Sequence, residues 1–446
     1  MKERTKKART PAALAWVVSA DMGFGHKRAV HPLREFAEGG IISVGENDAA
    51  SPLERKLWRR LLRLYESFSR AWSIPFIGRY IFGILDAFLR IPTLYPLRNL
   101  SHSTFQVELL ESFIRKGLCE GMLERIKVKN LPLVTSFYAP AIAADMNGTE
   151  KVYCIICDAD LNRVWVAREP WESRIEYFTP CGRVVQRLKA YGVPDDRIFL
   201  TGFPLPLELL GGPDMPTLKA DLGQRLSYLD PNKRFWDRYG VNVEHLLGTE
   251  NCTFRGDRKL TITYSVGGAG AMKEIGGKIA WDLKDRILAG EVRLNLAAGI
   301  KETVIRYYQE VQAEIAAPPD AIRVIAAATV EEYFERFNAA LRTTDILWTK
   351  PSELSFYAGL GMPIITTPPL GSQETFNARW LRDIHAGIRG ENPEYAHQWL
   401  MDLVKKGRLA EAAWSGFLKA RKLGTYKILE VLHTGTMKRE SSPIMR

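Results

Sequence analysis

His26 is the side chain in this sequence best placed to move a proton. It follows Gly23-Phe24-Gly25, which follow the apolar run at 13–20, "ALAWVVSA". A strand, a glycine turn and a helix in that order put the imidazole at the strand's carboxyl end, where a doubly wound sheet gathers its ligands. There the ring can act as a base or donor near neutral pH. Gly23 and Gly25 let the backbone approach a ligand closely, and the helix start behind them attracts anions.

A second constellation repeats this logic. "TITYSVGGAGAMKEIGGKIA" reads as strand, then Gly267-Gly268-Ala269-Gly270, then helix. Such a loop at a helix start suits a diphosphate. It has neither the Lys-Ser/Thr ending of a Walker A loop nor the G-x-G-x-x-G spacing of a dinucleotide site. A third lies in "TKPSELSFYAGLGMPIITTPPLGSQETFN", where Lys350, Ser352 and Glu353 precede a helix and Gln373, Glu374 and Asn377 start another. Their carboxylates and amides could bind the hydroxyls of a ribose or sugar.

Other chemistries find less support. Asp158-Ala159-Asp160 has the D-x-D form of a metal–diphosphate motif, which a chain of this length also contains by chance. The histidines show no clustered ligand spacing, so no metal site is expected. No G-x-S-x-G is present. Cys154 and Cys157 form a C-x-x-C inside a strand-like run, where they point to opposite faces and read as buried core thiols.

The elements that must position these groups alternate along 446 residues, of which 46% are hydrophobic and 25% charged. That balance is soluble and globular, and the length suits two domains. The formal charge of +11 makes an anionic partner plausible. Strands alternating with helices in both halves predict α/β domains with parallel sheets. The expected division is a basic tail at 1–12, a first domain at 13–204, an insertion or linker at 205–258, a second domain at 259–395, C-terminal helices at 396–434 and a flexible tail at 435–446. The basic N-terminus with its apolar run has a signal-peptide look, but the run leads directly into the His26 turn and reads as the first strand.

Residues 51–100 interrupt the first domain with a basic, aromatic stretch. Trp58, Arg59, Arg63, Trp72 and Phe76 are candidates for contact with an anionic membrane surface, the rings at headgroup depth and the cations on lipid phosphate. A core-facing helix with a solvated basic side is the competing reading. No nucleic-acid module accompanies the charge, so no nucleic-acid partner is expected.

Taken in order, the motifs resemble a distant GT-B glycosyltransferase, similar to monogalactosyldiacylglycerol synthases, processive diacylglycerol glucosyltransferases and the peptidoglycan lipid-linked GlcNAc transferase. "GFGHKRA" stands for their G-G-G-H-R-A, "CIICDADLNRVWV" carries their strand-closing aspartate as Asp158, and "GVPDDRIFLTGFP" matches a third motif. "SVGGAGA" and "GSQETFN" match in the second half. The resemblance implies a GT-B fold, two Rossmann-like domains with parallel sheets facing a central cleft. It implies a cytoplasmic, peripherally membrane-associated hexosyltransferase, inverting, metal-independent and without a cofactor. The enzyme would pass a sugar from a UDP-linked donor to a lipid or lipid-linked acceptor. His26 and Asp158 would be catalytic, with Gly23, Phe24 and Gly25 forming the acceptor loop. Gly267, Gly268, Ala269, Gly270, Lys350, Ser352, Glu353, Gln373, Glu374 and Asn377 would hold the donor. Two departures stand out: Phe24 replaces a family glycine, and the family's ribose-gripping glutamate position falls on Phe356, with Glu353 nearby. A soluble nucleotide-sugar epimerase and a catalytically silent membrane-associated binding protein are the alternatives.

Overall fold

The computed structural model describes residues 14–45, 50–60, 91–253, 256, 258–268, 270, 272–369, 371–440 and 442. Its first half builds a six-stranded parallel sheet from β1 (Trp16–Ala20), β2 (Ile42–Val44), β3 (Leu133–Thr135), β4 (Val152–Ile155), β5 (Ile175–Phe178) and β6 (Ile198–Phe199). The spatial order is β2-β1-β3-β4-β5-β6. Every residue of β1 is buried, as a parallel strand covered by helices on both faces requires.

The second half forms another six-stranded parallel sheet: β7 (Leu260–Ser265), β8 (Val292–Gly299), β9 (Ile322–Ala326), β10 (Ile346–Thr349), β11 (Ile364–Thr366) and β12 (Gly387–Arg389). Its order is β12-β11-β10-β7-β8-β9. In each sheet the first strand in the chain lies inside, and the order reverses beside it. The two reversal points, β1 against β3 and β7 against β10, are where an open α/β sheet offers a crevice at its carboxyl edge. Both halves are therefore Rossmann-like.

Three elements differ from the sequence reading. The described part of 205–258 is packed structure: helix Pro216–Leu229 lays Leu218, Leu222, Leu226 and Leu229 into the core. Arg225 on the same helix donates to the carbonyls of Thr344, Leu360 and Gly361, tying this segment to the second sheet. The stretch after β10 is a 3-10 helix, Glu353–Leu360, ended by Gly361 at φ 64. Leu222 lies so close that a Cβ on Gly361 would meet its methyl at 2.5 Å, so the left-handed turn and the helix packing require the same glycine. Strand β12 was not anticipated, being three residues long with a glycine at its start.

The membrane-contact expectation is corrected at Trp58. Its side chain is 4% exposed, packs over Gly45 and donates its indole N–H to Glu54. The indole belongs to the core because residues 52–60 are helical and Leu57 and Trp58 face inward. Arg59 is exposed, whereas Arg63, Trp72 and Phe76 lie outside the described residues. Among the described residues no helix is long and apolar enough to cross a membrane.

Candidate active site at the domain seam

On the first domain's side, β1 ends in Asp21-Met22-Gly23, and helix Phe24–Val30 starts immediately. Gly23 has φ 107, a conformation that strains any other residue. The turn delivers His26 to the carboxyl end of β3, where its Nδ1 lies 2.7 Å from the carbonyl oxygen of Ser136. A carbonyl only accepts, so Nδ1 carries the proton and Nε2 keeps its lone pair as a base. Burial lowers the imidazole's pKa from 6.5, against the opposing pull of the Ser136 carbonyl and the Glu353 charge. Phe137 and Trp165 flank the ring, with centroids 4.9 and 6.1 Å away.

Cys157, two residues past β4, places its sulfur 3.7 Å from His26 Nδ1, and Asp158 is the next residue. Burial pushes the Asp158 carboxyl up to about 6, although Asn377 donates to its Oδ1 at 2.7 Å and favours the charged form. Asp160 faces elsewhere. It is fully buried and paired with Arg187 at 2.8 Å and Arg183 at 2.7 Å, so the D-x-D is half structural. Among the described residues no group of three or more His, Cys, Asp or Glu side chains could hold a metal ion.

On the second domain's side the reversal point carries fixed charges. Lys350, just past β10, lays its stem along Gly267, where a Cβ would stand 2.6 Å from Cε. Gly267 thus lets the ammonium sit beside the glycine loop, 2.7 Å from Glu374. A cation and loop amides together suit a diphosphate. Glu353 is 7% exposed and pairs with Arg28 of the first domain at 3.2 Å. Its Oε2 also lies 3.3 Å from where a Cβ on Gly25 would be, so Gly25 is what admits this carboxylate.

The two sides interlock. Arg28 is 3% exposed, and its guanidinium lies 4.3 Å from the Phe334 ring centre and 4.8 Å from that of Phe337. Asn377 is fully buried: it receives the amide of Ala159 and donates to Asp158 and to the carbonyl of Pro351. Its amide is therefore occupied in holding the seam rather than turned to a sugar hydroxyl. Phe24, expected in the acceptor loop, turns the other way. Its ring packs on Tyr333 and Phe334 of the second domain, at 5.3 and 5.8 Å, and against Gly268 and Gly299. The large residue in the altered loop is an interdomain plug.

His26, Asp158, Lys350, Glu353, Glu374 and Asn377 thus converge from both domains on one seam. Ser352 heads the 3-10 helix, and Gln373 stays beside Ser372. Gly270, at φ 71, faces Val304 and Lys301, and Ala269 lies outside the described residues. Arg28, Ser136 and the Tyr333–Phe334 pair were missed. Arg28 alone left a trace in the sequence, as a charge on the apolar face of its helix.

Two Rossmann-like domains set their ligand-gathering edges against each other. The fold is GT-B. No family model matches the sequence. A processive diacylglycerol beta-glucosyltransferase from Bacillus pumilus is 21% identical over 262 residues, covering 57% of this chain and 56% of that protein. The chain thus spans a little over half the length of that curated relative. Among solved structures, the S. aureus MnaA–UDP complex is similar at a TM-score of 0.47 and 11% identity, over 94% of this chain and 95% of that one. UDP-GlcNAc 2-epimerase from Neisseria meningitidis bound to UDP-GlcNAc gives 0.46 and 11%, over 94% and 99%. MurG of Acinetobacter baumannii gives 0.40 and 16%, over 72% and 79%. None of these likenesses decides an activity.

Proposed function

We propose that this chain is an enzyme acting on a nucleotide sugar of the UDP-linked class, with the domain seam as its active site. The observation that carries the proposal is the convergence there of a base with a fixed tautomer, His26, and a cation set beside a glycine loop, Lys350. In the transfer reading, the acceptor hydroxyl gives its proton to His26 Nε2 as its oxygen bonds to the anomeric carbon. The bond from that carbon to the diphosphate oxygen breaks, and UDP leaves against Lys350 and the loop amides. Attack opposite the leaving group inverts the anomeric centre. Asp158 serves beside His26 as a second proton carrier. A lipid or lipid-linked acceptor at the cytoplasmic membrane surface is the finer form of this reading, supported by the glucosyltransferase likeness. The aromatic wall of Phe137, Tyr138 and Trp165 beside His26 suits an apolar acceptor.

Two observations favour a second reading, the first a soluble epimerase and the second a catalytically altered or silent membrane-associated binding protein. Trp58 is in the core rather than at a lipid surface, and Phe24 with the Arg28–Glu353 pair fills part of the seam. Calorimetric titration of the full chain with UDP and UDP-hexoses tests the shared claim. Binding that Lys350→Met removes supports it, and no binding at about 1 mM ligand sinks it. Incubation with UDP-hexose alone, followed by proton NMR, separates the two: a new sugar epimer without acceptor marks an epimerase, whereas UDP release that requires added diacylglycerol marks a transferase.

A further inference from the structure

Asn377 joins the two domains at the turn that carries Asp158. It lies in helix Ser372–Asp383 of the second domain and is fully buried. Its Oδ1 accepts the Ala159 N–H at 2.7 Å, and its Nδ2 donates to Asp158 Oδ1 at 2.7 Å. The same Nδ2 donates to the Pro351 carbonyl of its own domain at 3.2 Å. An N–H on one side and two acceptors on the other allow a single orientation of the amide.

Asn377 thus holds Asp158 twice, by the carboxyl itself and by the main-chain amide that follows it. A fixed donor to a buried carboxyl both orients it and favours its charged form. Asp158 stands among groups that pull in opposite directions. Burial pushes its carboxyl up, and Glu353 and Glu374 push the same way, while Asn377 and Lys350 oppose them. On its own domain its neighbours are Cys157 and, through the Cys157 sulfur, His26.

The helix that carries Asn377 also carries Glu374, which is paired with Lys350 at 2.7 Å. Positions three apart share a helix face. One face therefore holds both the cation given to the diphosphate and the acid given to the acceptor under the proposed function, on which this inference rests. We propose that Asn377 is a positioning residue that fixes the Asp158 carboxyl from across the seam, so that this acid is in working order only while the second domain is docked on the first.

The test uses the full chain carrying Asn377→Asp, and the exchange variant Asp158→Asn/Asn377→Asp. Asn377→Asp keeps the side-chain volume and the acceptor for the Ala159 N–H, but turns a second carboxyl on Asp158 in place of an N–H donor. Neighbouring carboxyls raise one another, so the fall in stability that Asp158 gives near pH 6 should move up by about one pH unit or more. Urea unfolding across pH reads that shift without substrate, and the turnover limb near pH 6 should move with it. The exchange variant restores an amide–carboxyl bond with its direction reversed. It should be more stable than Asn377→Asp at neutral pH, while UDP-hexose turnover stays about tenfold or more below wild type. Where Asn377→Asp fails to fold, a folded exchange variant supports the proposal and an unfolded one overturns it. Stability profiles of Asn377→Asp superimposable on wild type, or wild-type turnover in the exchange variant, would also overturn it. Absence of UDP binding by the wild-type chain would break the active-site reading, and the unfolding profiles would still decide this one.

Discussion

The two reversal points of the sheets hold different kinds of charge. On the first sheet, at the carboxyl ends of β1, β3 and β4, the groups titrate: His26 is pushed toward neutrality by burial, and Asp158 is pushed up to about 6. At β7 and β10 the charges come in ion pairs, Lys350 with Glu374 and Glu353 with Arg28. Under the proposed function, proton movement falls to the first domain and anion binding to the second. The difference also shows why Arg28 is buried: it is the first domain's one described ion pair to Glu353 across the seam.

Breaking the paired side should have the largest effect. Arg28→Met leaves Glu353 buried without its partner and is expected to cost about 3–5 kcal/mol, read from urea unfolding. Adding Glu353→Leu should recover most of that loss, and a double variant no more stable than the single would remove the pair from the account. Phe24→Ala, which empties the plug between Tyr333, Phe334 and Gly268, should cost about 3 kcal/mol. The same variant should tighten UDP binding if the plug limits entry to the seam, and unchanged affinity would show that the ring stands clear of the nucleotide.

The titrating side should show smaller, pH-dependent effects. Burial raises the Asp158 carboxyl to about 6 from its ordinary value of 3.8. The folded state thus keeps a proton that the unfolded chain has lost, so this contribution to stability is present at acid pH and declines as pH rises through about 6. His26 acts oppositely: with its pKa lowered from 6.5, its contribution is present above that value and lost as pH falls. Asp158→Asn should therefore make stability rise more steeply with pH between 3.8 and about 6, and should remove an activity limb near pH 6. Superimposable stability profiles for the two proteins would contradict the burial of this carboxyl.

Much of the fold could be read in advance, because buried parallel strands are nearly continuous apolar runs. "ALAWVVSA", "LTITYS" and "VRLNLAAG" became β1, β7 and β8 without ambiguity. Short edge strands could not be: β12 buries too little to leave an apolar signature. At the site, His26 and Lys350 were readable from the turn and the strand end that carry them. Their partners were not, because a backbone carbonyl such as that of Ser136 leaves no residue-type signal. The Arg28–Glu353 pair joins residues 325 positions apart, and local spacing carries no record of it. Phe24 was noticed as a departure, but its direction depends on Gly268 and Gly299 in the other domain. Trp58 misled because an aromatic next to arginines looks alike whether the ring meets lipid or core.

The central claim is that His26 Nε2 takes a proton at a seam whose other side holds the nucleotide. The direct measurement is UDP-hexose turnover and UDP affinity for His26→Ala beside the wild type. Turnover should fall by about 10²–10⁴-fold with UDP affinity unchanged. Retained turnover in a folded His26→Ala protein would contradict the account.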